Sequence, residues 1–266
     1  MAGLDRLFSV PLMFFTFLVV GVLFALGSQL SLGELRASAL SSETLFALRF
    51  SLAVSLVALS FALVIGIPSA YFMARHDFPG KGVLDTLLDV PLVMTPLVAG
   101  VGLLFLFGRG MLGSPLADLG IDLILSPYGA VVAQAYVATP IVMRNSKSAF
   151  ESVDPGYEAM AMTLGLTPLK VFFRVNLPLA GRTIVSGAIL AWARAIGEFG
   201  ATLMVAGATR FRTETLPIAV YLNISSGEIG IALSCALVLV ATAFVLLLLL
   251  RFISRHGDAT GKGEGG

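Results

Sequence analysis

The chain is poor in charge, cysteine and histidine. Asp, Glu, Lys and Arg make up only 12% of its 266 residues, about half the share found in soluble domains. The formal net charge is +1 and no basic run occurs. Nothing here would track a phosphate backbone, so nucleic acid is not an expected partner. The one cysteine, Cys235, sits in an apolar run, which excludes an intrachain disulfide and argues against a thiolate site. The two histidines, His76 and His256, lie in polar flanks. Neither a His-Glu-x-x-His zinc motif nor a Gly-x-Ser-x-Gly nucleophile turn is present, and no P-loop exists, so this chain does not hydrolyse ATP itself. No intramembrane carboxylate pair offers an acid and a base. No catalytic residue and no metal site is therefore assigned. A membrane-embedded enzyme is the rival class, and a reaction catalysed by the purified chain alone would favour it.

What the chain has is apolar length. Apolar residues make up 57% of it and the mean hydropathy is +0.95. A spanning helix needs about 20 predominantly apolar residues. The sequence predicts an all-α polytopic membrane protein, one domain over 1–266, with six transmembrane helices at about 8–26, 45–73, 84–107, 127–143, 183–206 and 229–252. Ala25-Leu26-Gly27 could pass as a signal-peptidase site, but the preceding run exceeds a usual signal core, which favours a retained helix. The third run contains Pro91 and Pro96, and proline inside a membrane helix frees carbonyls that need other partners. That pattern reads either as a kink or as a helix lining a pathway. Small residues recur every four positions in the fifth run, at Gly187, Ala191, Ala195 and at Ala193, Gly197, Ala201. Such spacing lets helices approach closely, so Gly197→Leu is expected to damage assembly or gating. The Gly-rich tail 256–266 is expected to be disordered.

Lys and Arg set the orientation. With the N-terminus inside, inner segments hold Arg6, Arg75, Lys81, Arg144, Lys147, Lys170, Arg174, Arg182, Arg251, Arg255 and Lys262. Outer segments hold only Arg36, Arg49, Arg109, Arg210 and Arg212. Both termini and the long polar segment 144–182 are then cytoplasmic, in the plasma or inner membrane. Within that segment Asp154-Pro155-Gly156 signals a helix start, and Gly165 a helix stop. A short helix across the mouth of a bundle suits docking, because a partner can grip it without entering lipid.

Two charges fall at membrane depth, Arg194 and Glu198, spaced to pair on one helix face. Such residues face a bundle interior or a wet cavity. They read either as a packing salt bridge or as a site where Arg194 meets an anion that Glu198 holds in place.

Gly165, followed by Val175 and Leu177-Pro178, resembles the EAA loop of permeases from ABC importers, a cytoplasmic helix that couples to an ATPase subunit. The first family position, counted back from Gly165, falls on Ala159, with the acid one place earlier at Glu158, and Met160 stands where a small residue is usual. The resemblance implies an ATPase-coupling set of Glu158, Ala159, Met160, Ala161, Gly165, Leu166 and Pro178. Pro91-Leu92-Val93-Met94-Thr95-Pro96 with Gly100 and Phe107-Gly108 is similar to the third helix of molybdate and sulfate permeases. Ala193-Arg194-Ala195-Ile196-Gly197-Glu198-Phe199-Gly200-Ala201-Thr202 is similar to their fifth, and Thr213-Glu214-Thr215-Leu216-Pro217 with Tyr221 to the molybdate branch. These matches imply the type I importer fold, a homodimer, two ATP-binding subunits, and an extracytoplasmic oxyanion-binding protein. They also imply that Thr95, Pro96, Arg194, Gly197 and Glu198 serve the pathway or helix packing. The expected cargo is molybdate, with tungstate or sulfate/thiosulfate as alternatives. No cofactor is expected on this chain; ATP and magnesium would sit on the partner ATPase.

Overall fold

The computed structural model describes residues 2–29, 31–108 and 111–258. The described residues are helical nearly throughout: α1 (Ala2–Ser28), α2 (Leu32–Ala39), α3 (Ser42–Arg75), α4 (Lys81–Val93), α5 (Pro96–Phe107), α6 (Gly113–Asp118), α7 (Pro127–Glu151), α8 (Pro155–Thr163), α9 (Pro168–Val171), α10 (Leu177–Ile196), α11 (Gly200–Ala206), α12 (Leu216–Ser226) and α13 (Ile229–Asp258). A π turn, Phe172–Asn176, joins α9 to α10.

The core is α3, α7 and α10 packed against one another. A stripe of small residues runs down α3: Ala47, Ser51, Ala58, Ala62, Gly66 and Ala70 are all buried. Facing it, α7 buries Ala130, Ala133, Ala138 and Ala149, and α10 buries Ala180, Gly187, Ala191 and Ala195. Small side chains allow the backbones to meet, and lipid-embedded helices rely on that contact rather than on hydrophobic exclusion. A Cβ on Gly187 would lie 2.4 Å from the Asn145 Cβ. The predicted Gly187, Ala191, Ala195 stripe is therefore a packing seam. Gly197 is different: it is exposed, and a Cβ there would come no nearer than 3.7 Å to its own helix backbone. Its expected close approach is not made within this chain.

Among the described residues four helical stretches are long and apolar enough to cross a membrane: Phe8–Ser28, Ser42–Arg75, Pro168–Ile196 and Ile229–Phe252. A fifth is added if α4 and α5 form one span. Six were expected. The shortfall falls on α7, whose sequence carries Gln134, Asn145, Ser146 and Ser148. Because α7 is enclosed by α3, α10 and α11, much of its surface meets protein rather than lipid.

The run 84–107 is not one helix. Its halves, α4 and α5, meet at 112°. Met94 and Thr95 at the bend are both extended, with ψ of 138°. Pro96 explains this: proline disfavours helical geometry in the residue before it and suits the first helical position. The run 183–206 is broken too, since Gly197, Glu198 and Phe199 separate α10 from α11. The polar segment 144–182 is largely helical, because α7 continues to Glu151 and α10 begins at Leu177. Pro178 would cost that helix a hydrogen bond and clash one turn back. The preceding π turn, in which the Leu177 N–H reaches the Phe172 carbonyl, absorbs the misfit. At the end of the chain α13 carries helix through Asp258, so 256–258 do not belong to a disordered tail; 259–266 lie outside the described residues.

Candidate functional site

Two regions gather the predicted site residues. The first is α8. Asp154 caps it, its Oδ1 accepting the Gly156 N–H at 2.8 Å. Pro155 takes the first turn. At the other end the Gly165 N–H donates to the Met162 carbonyl and the Leu166 N–H to the Ala161 carbonyl. This is the Schellman closure of a helix, which wants a left-handed residue just past the end. Gly165 supplies it with φ +85°. A Cβ there would meet nothing within 4 Å, so the demand for glycine is conformational, not steric.

The two faces of α8 differ. Glu158 and Ala161 point inward. Glu158 Oε1 accepts from Arg75 Nε at 2.5 Å, and both side chains are nearly buried, at 13% and 11% exposure. Tyr71 Oη donates to Glu158 Oε2 at 3.2 Å, Asn176 Nδ2 donates to Tyr71 Oη at 3.3 Å, and Arg75 Nη2 donates to the Val153 carbonyl at 3.0 Å. The Tyr71 ring packs edge-on against Phe150 and Phe172. Glu158 thus ties α8 to the end of α3 and, through Tyr71, to the π turn. Outward, Tyr157, Met160, Met162 and Leu164 are exposed, as are Leu169 and Phe173 beyond the turn. Ala159 and Pro178 are exposed and Leu166 half-buried. An apolar patch of that kind marks an interaction surface.

The second region is a cavity of about 390 Å³ between the two helix breaks, lined by Thr95, Pro96, Leu97, Arg194, Gly197, Glu198, Phe199 and Gly200. All five residues predicted for the pathway or for packing line it. The helices that bring them together are in close contact: a Cβ on Gly200 would sit 3.0 Å from the Leu97 nitrogen, and one on Gly100 2.8 Å from the Ala201 Cα. Arg194 Nη1 meets Glu198 Oε2 at 2.6 Å. Glu198 is buried, at 1% exposure, whereas Arg194 is 40% exposed. The other carboxylate oxygen, Oε1, accepts the Ala201 N–H at 3.0 Å and so caps α11. Glu198 therefore holds the break, and Arg194 presents the rest of its guanidinium to the cavity. The pair is neutral overall, with part of the guanidinium open to the cavity.

Sequence reasoning missed the inward anchor of Glu158. Its signal was present: Arg75 ends α3 on the cytoplasmic side of the charge count, where Glu158 also lies. It also missed the capping role of Glu198 and a buried polar cluster around Glu43 and Glu214.

Residues 62–256 match the family of binding-protein-dependent transport system inner membrane components, and the chain belongs to that family. It is 40% identical over 213 residues to the molybdenum transport system permease protein ModB of Escherichia coli, covering 79% of this chain and 93% of that one. It is 37% identical over 255 residues to a probable molybdenum ABC transporter permease of Haloferax volcanii, covering 96% and 91%. Among solved structures, a bacterial alginate ABC transporter in complex with its alginate-bound periplasmic protein superposes with a TM-score of 0.73 at 16% identity, over 96% of this chain and 93% of that one. The MetNI methionine transporter superposes at 0.60 and 18% identity, over 82% and 99%. These likenesses establish the fold, the all-α membrane architecture of type I ABC importer permeases.

Proposed function

We propose that the chain is the permease of an ATP-driven importer for molybdate or a closely related oxyanion. The observation that carries this reading is α8: pinned from inside by Glu158 and Arg75, ended by Gly165, and apolar on its outer face. That is the form a coupling helix needs, rigid toward the bundle and adhesive toward a partner. The relatives named for molybdenum support the cargo.

In this reading the domain 1–266 contributes six spans, α7 among them, with both termini and the 144–182 segment cytoplasmic. Two copies surround a central pathway, two ATP-binding subunits hold ATP and magnesium and dock on the two α8 helices, and an extracytoplasmic binding protein delivers the anion. Thr95, Pro96, Arg194, Gly197 and Glu198 line the route. The energetics require such a machine. Moving charge against a membrane potential costs about 2.3 kcal/mol per charge per 100 mV. A dianion entering a negative cell climbs roughly 5 kcal/mol at that potential, before any concentration gradient.

The test is uptake competition in cells lacking their own importer. Molybdate uptake that depends on the ATPase partner, outcompeted by excess tungstate but not by excess sulfate, is the expected result. Uptake driven equally by sulfate would move the cargo to the sulfate branch, and uptake without the ATPase would end the reading.

A further inference from the structure

At the opposite end of α3 from Arg75, the segment 207–215 folds over the head of the bundle. Glu43, in the first turn of α3, is 8% exposed, and Glu214 is fully buried. Asn223 Nδ2, on α12, donates to Glu43 Oε1 at 2.6 Å. Arg210 Nη1 stands 3.6 Å from Glu43 Oε2, while its Nη2 donates to Asn223 Oδ1 and Ser226 Oγ. Glu214 Oε2 accepts the Phe211 N–H at 2.9 Å. Its Oε1 is buried without a hydrogen-bond partner, and the neighbouring Glu43 carboxyl disfavours its charged form. Two neighbouring buried carboxyls, one with an oxygen that meets no donor, sit together favourably only when a proton stays on the pair.

The charges around the pair are few. The segment itself brings Arg210. From α13 comes Cys235, whose thiol is hydrogen-bonded to Thr44. From α12 come Asn223 and Ser226, both neutral. Among the described residues one cation, Arg210, therefore faces two carboxyls. With one proton the cluster is neutral; without it a buried negative charge is left over. The segment they hold is under tension. Phe211 has φ +56°, a region that costs a non-glycine residue free energy unless its surroundings enforce it. The enforcing contacts are the bond from its N–H to Glu214 and the edge-on packing of its ring against Phe46.

We propose that Glu43 and Glu214 form a one-proton binding site that latches the 207–215 segment onto α3 and α12, and that losing the proton releases the segment. In the topology proposed above the latch faces outward and reads the external pH; the proton site itself does not depend on that topology. Burial first, and the neighbouring Glu43 carboxyl as well, push Glu214 up to about 7, against the pull of the Phe211 N–H and Arg210. The sign follows. The latched state binds a proton that the released state, near its ordinary 4.5, gives up. Latching is therefore strongest in acid, weakens as pH rises from about 4.5 toward 7, and is constant above that.

The experiment is hydrogen exchange of the full-length chain in lipid nanodiscs between pH 6 and 8, corrected for intrinsic exchange. Protection of 207–215 is expected to fall about tenfold across that range, with no matching step in α8. Glu214→Gln keeps a donor toward Glu43 permanently and should flatten the profile, as should Glu43→Gln. A flat profile in the unchanged chain would overturn the proposal. So would a step that survives in either variant, or one shared equally by α8. Where one variant fails to fold, the other and the unchanged chain still decide the matter.

Discussion

Two Arg–Glu pairs stand at the two regions of interest, and they do different work. Arg75 and Glu158 are 83 positions apart, both nearly buried, and surrounded by Tyr71, Asn176 and the Val153 carbonyl. Arg194 and Glu198 are one helical turn apart, with the arginine two-fifths exposed and the glutamate buried. The bonds are of nearly equal length, 2.5 and 2.6 Å. Length therefore says little about consequence. The first pair joins two elements that the chain alone would not hold together, and a buried pair is costly to break because it strands a charge. The second spans a break within one segment, where the chain already keeps the partners near, and water screens the arginine. Under the proposed function, a conformational change passing from a docked partner into the bundle would travel through the first pair, and the second would line the route of the anion.

This contrast can be broken by mutation. The largest effect is expected from Glu158→Lys, which sets a second cation beside Arg75 inside the packed end of α3. Loss of the pair should destabilise the α8 attachment by about 3–5 kcal/mol. Co-purification of the ATPase subunit should be abolished while the chain still inserts, and Glu158→Lys combined with Arg75→Glu should recover part of it. Unimpaired ATPase capture by Glu158→Lys alone would show that the anchor is not needed. A smaller effect is expected from Gly165→Val. There is room for the side chain, so only backbone strain of about 1–3 kcal/mol acts. Gly165→Asn should be milder, because asparagine tolerates left-handed geometry, and equal losses of uptake in the two variants would refute a conformational cause. The smallest stability effect belongs to Arg194→Gln, since the glutamine amide can still donate to Glu198, which also keeps the Ala201 N–H. Its signature should be reduced anion uptake with unchanged ATPase capture. Loss of capture instead would make Arg194 a packing residue.

The helix α8 was legible because its signals are local. Asp154-Pro155 before it and Gly165 after it act on their own backbone neighbours, and the structure realises both. The direction of Glu158 was not legible. On a helix of nine residues either face could have met the bundle, and only the position of Arg75 and Tyr71 on α3 selects this one. The residues around Arg194 and Glu198 came together as a set, but two details of backbone were not legible. Gly197 is exposed within this chain, because Glu198 folds back to cap α11 and α10 ends there. The third run was expected to be one span, kinked or lining a pathway at Pro91 and Pro96; how far its two halves turn depends on what α5 packs against, which is α11 through Gly100 and Ala201.

The sequence by itself determined that this is a helical membrane protein, which way its charges lean, where α8 starts and stops, and which family it resembles. Those properties depend on composition and on neighbours within one turn of helix. Only the tertiary structure decided which acids are anchors and which is a cap, that two helix breaks share one cavity, and that Glu43 and Glu214 are buried near one another and near Arg210. Each of these is set by distance between residues far apart in the chain. At low dielectric, a few ångströms decide whether a carboxylate is paired, capped or left to hold a proton.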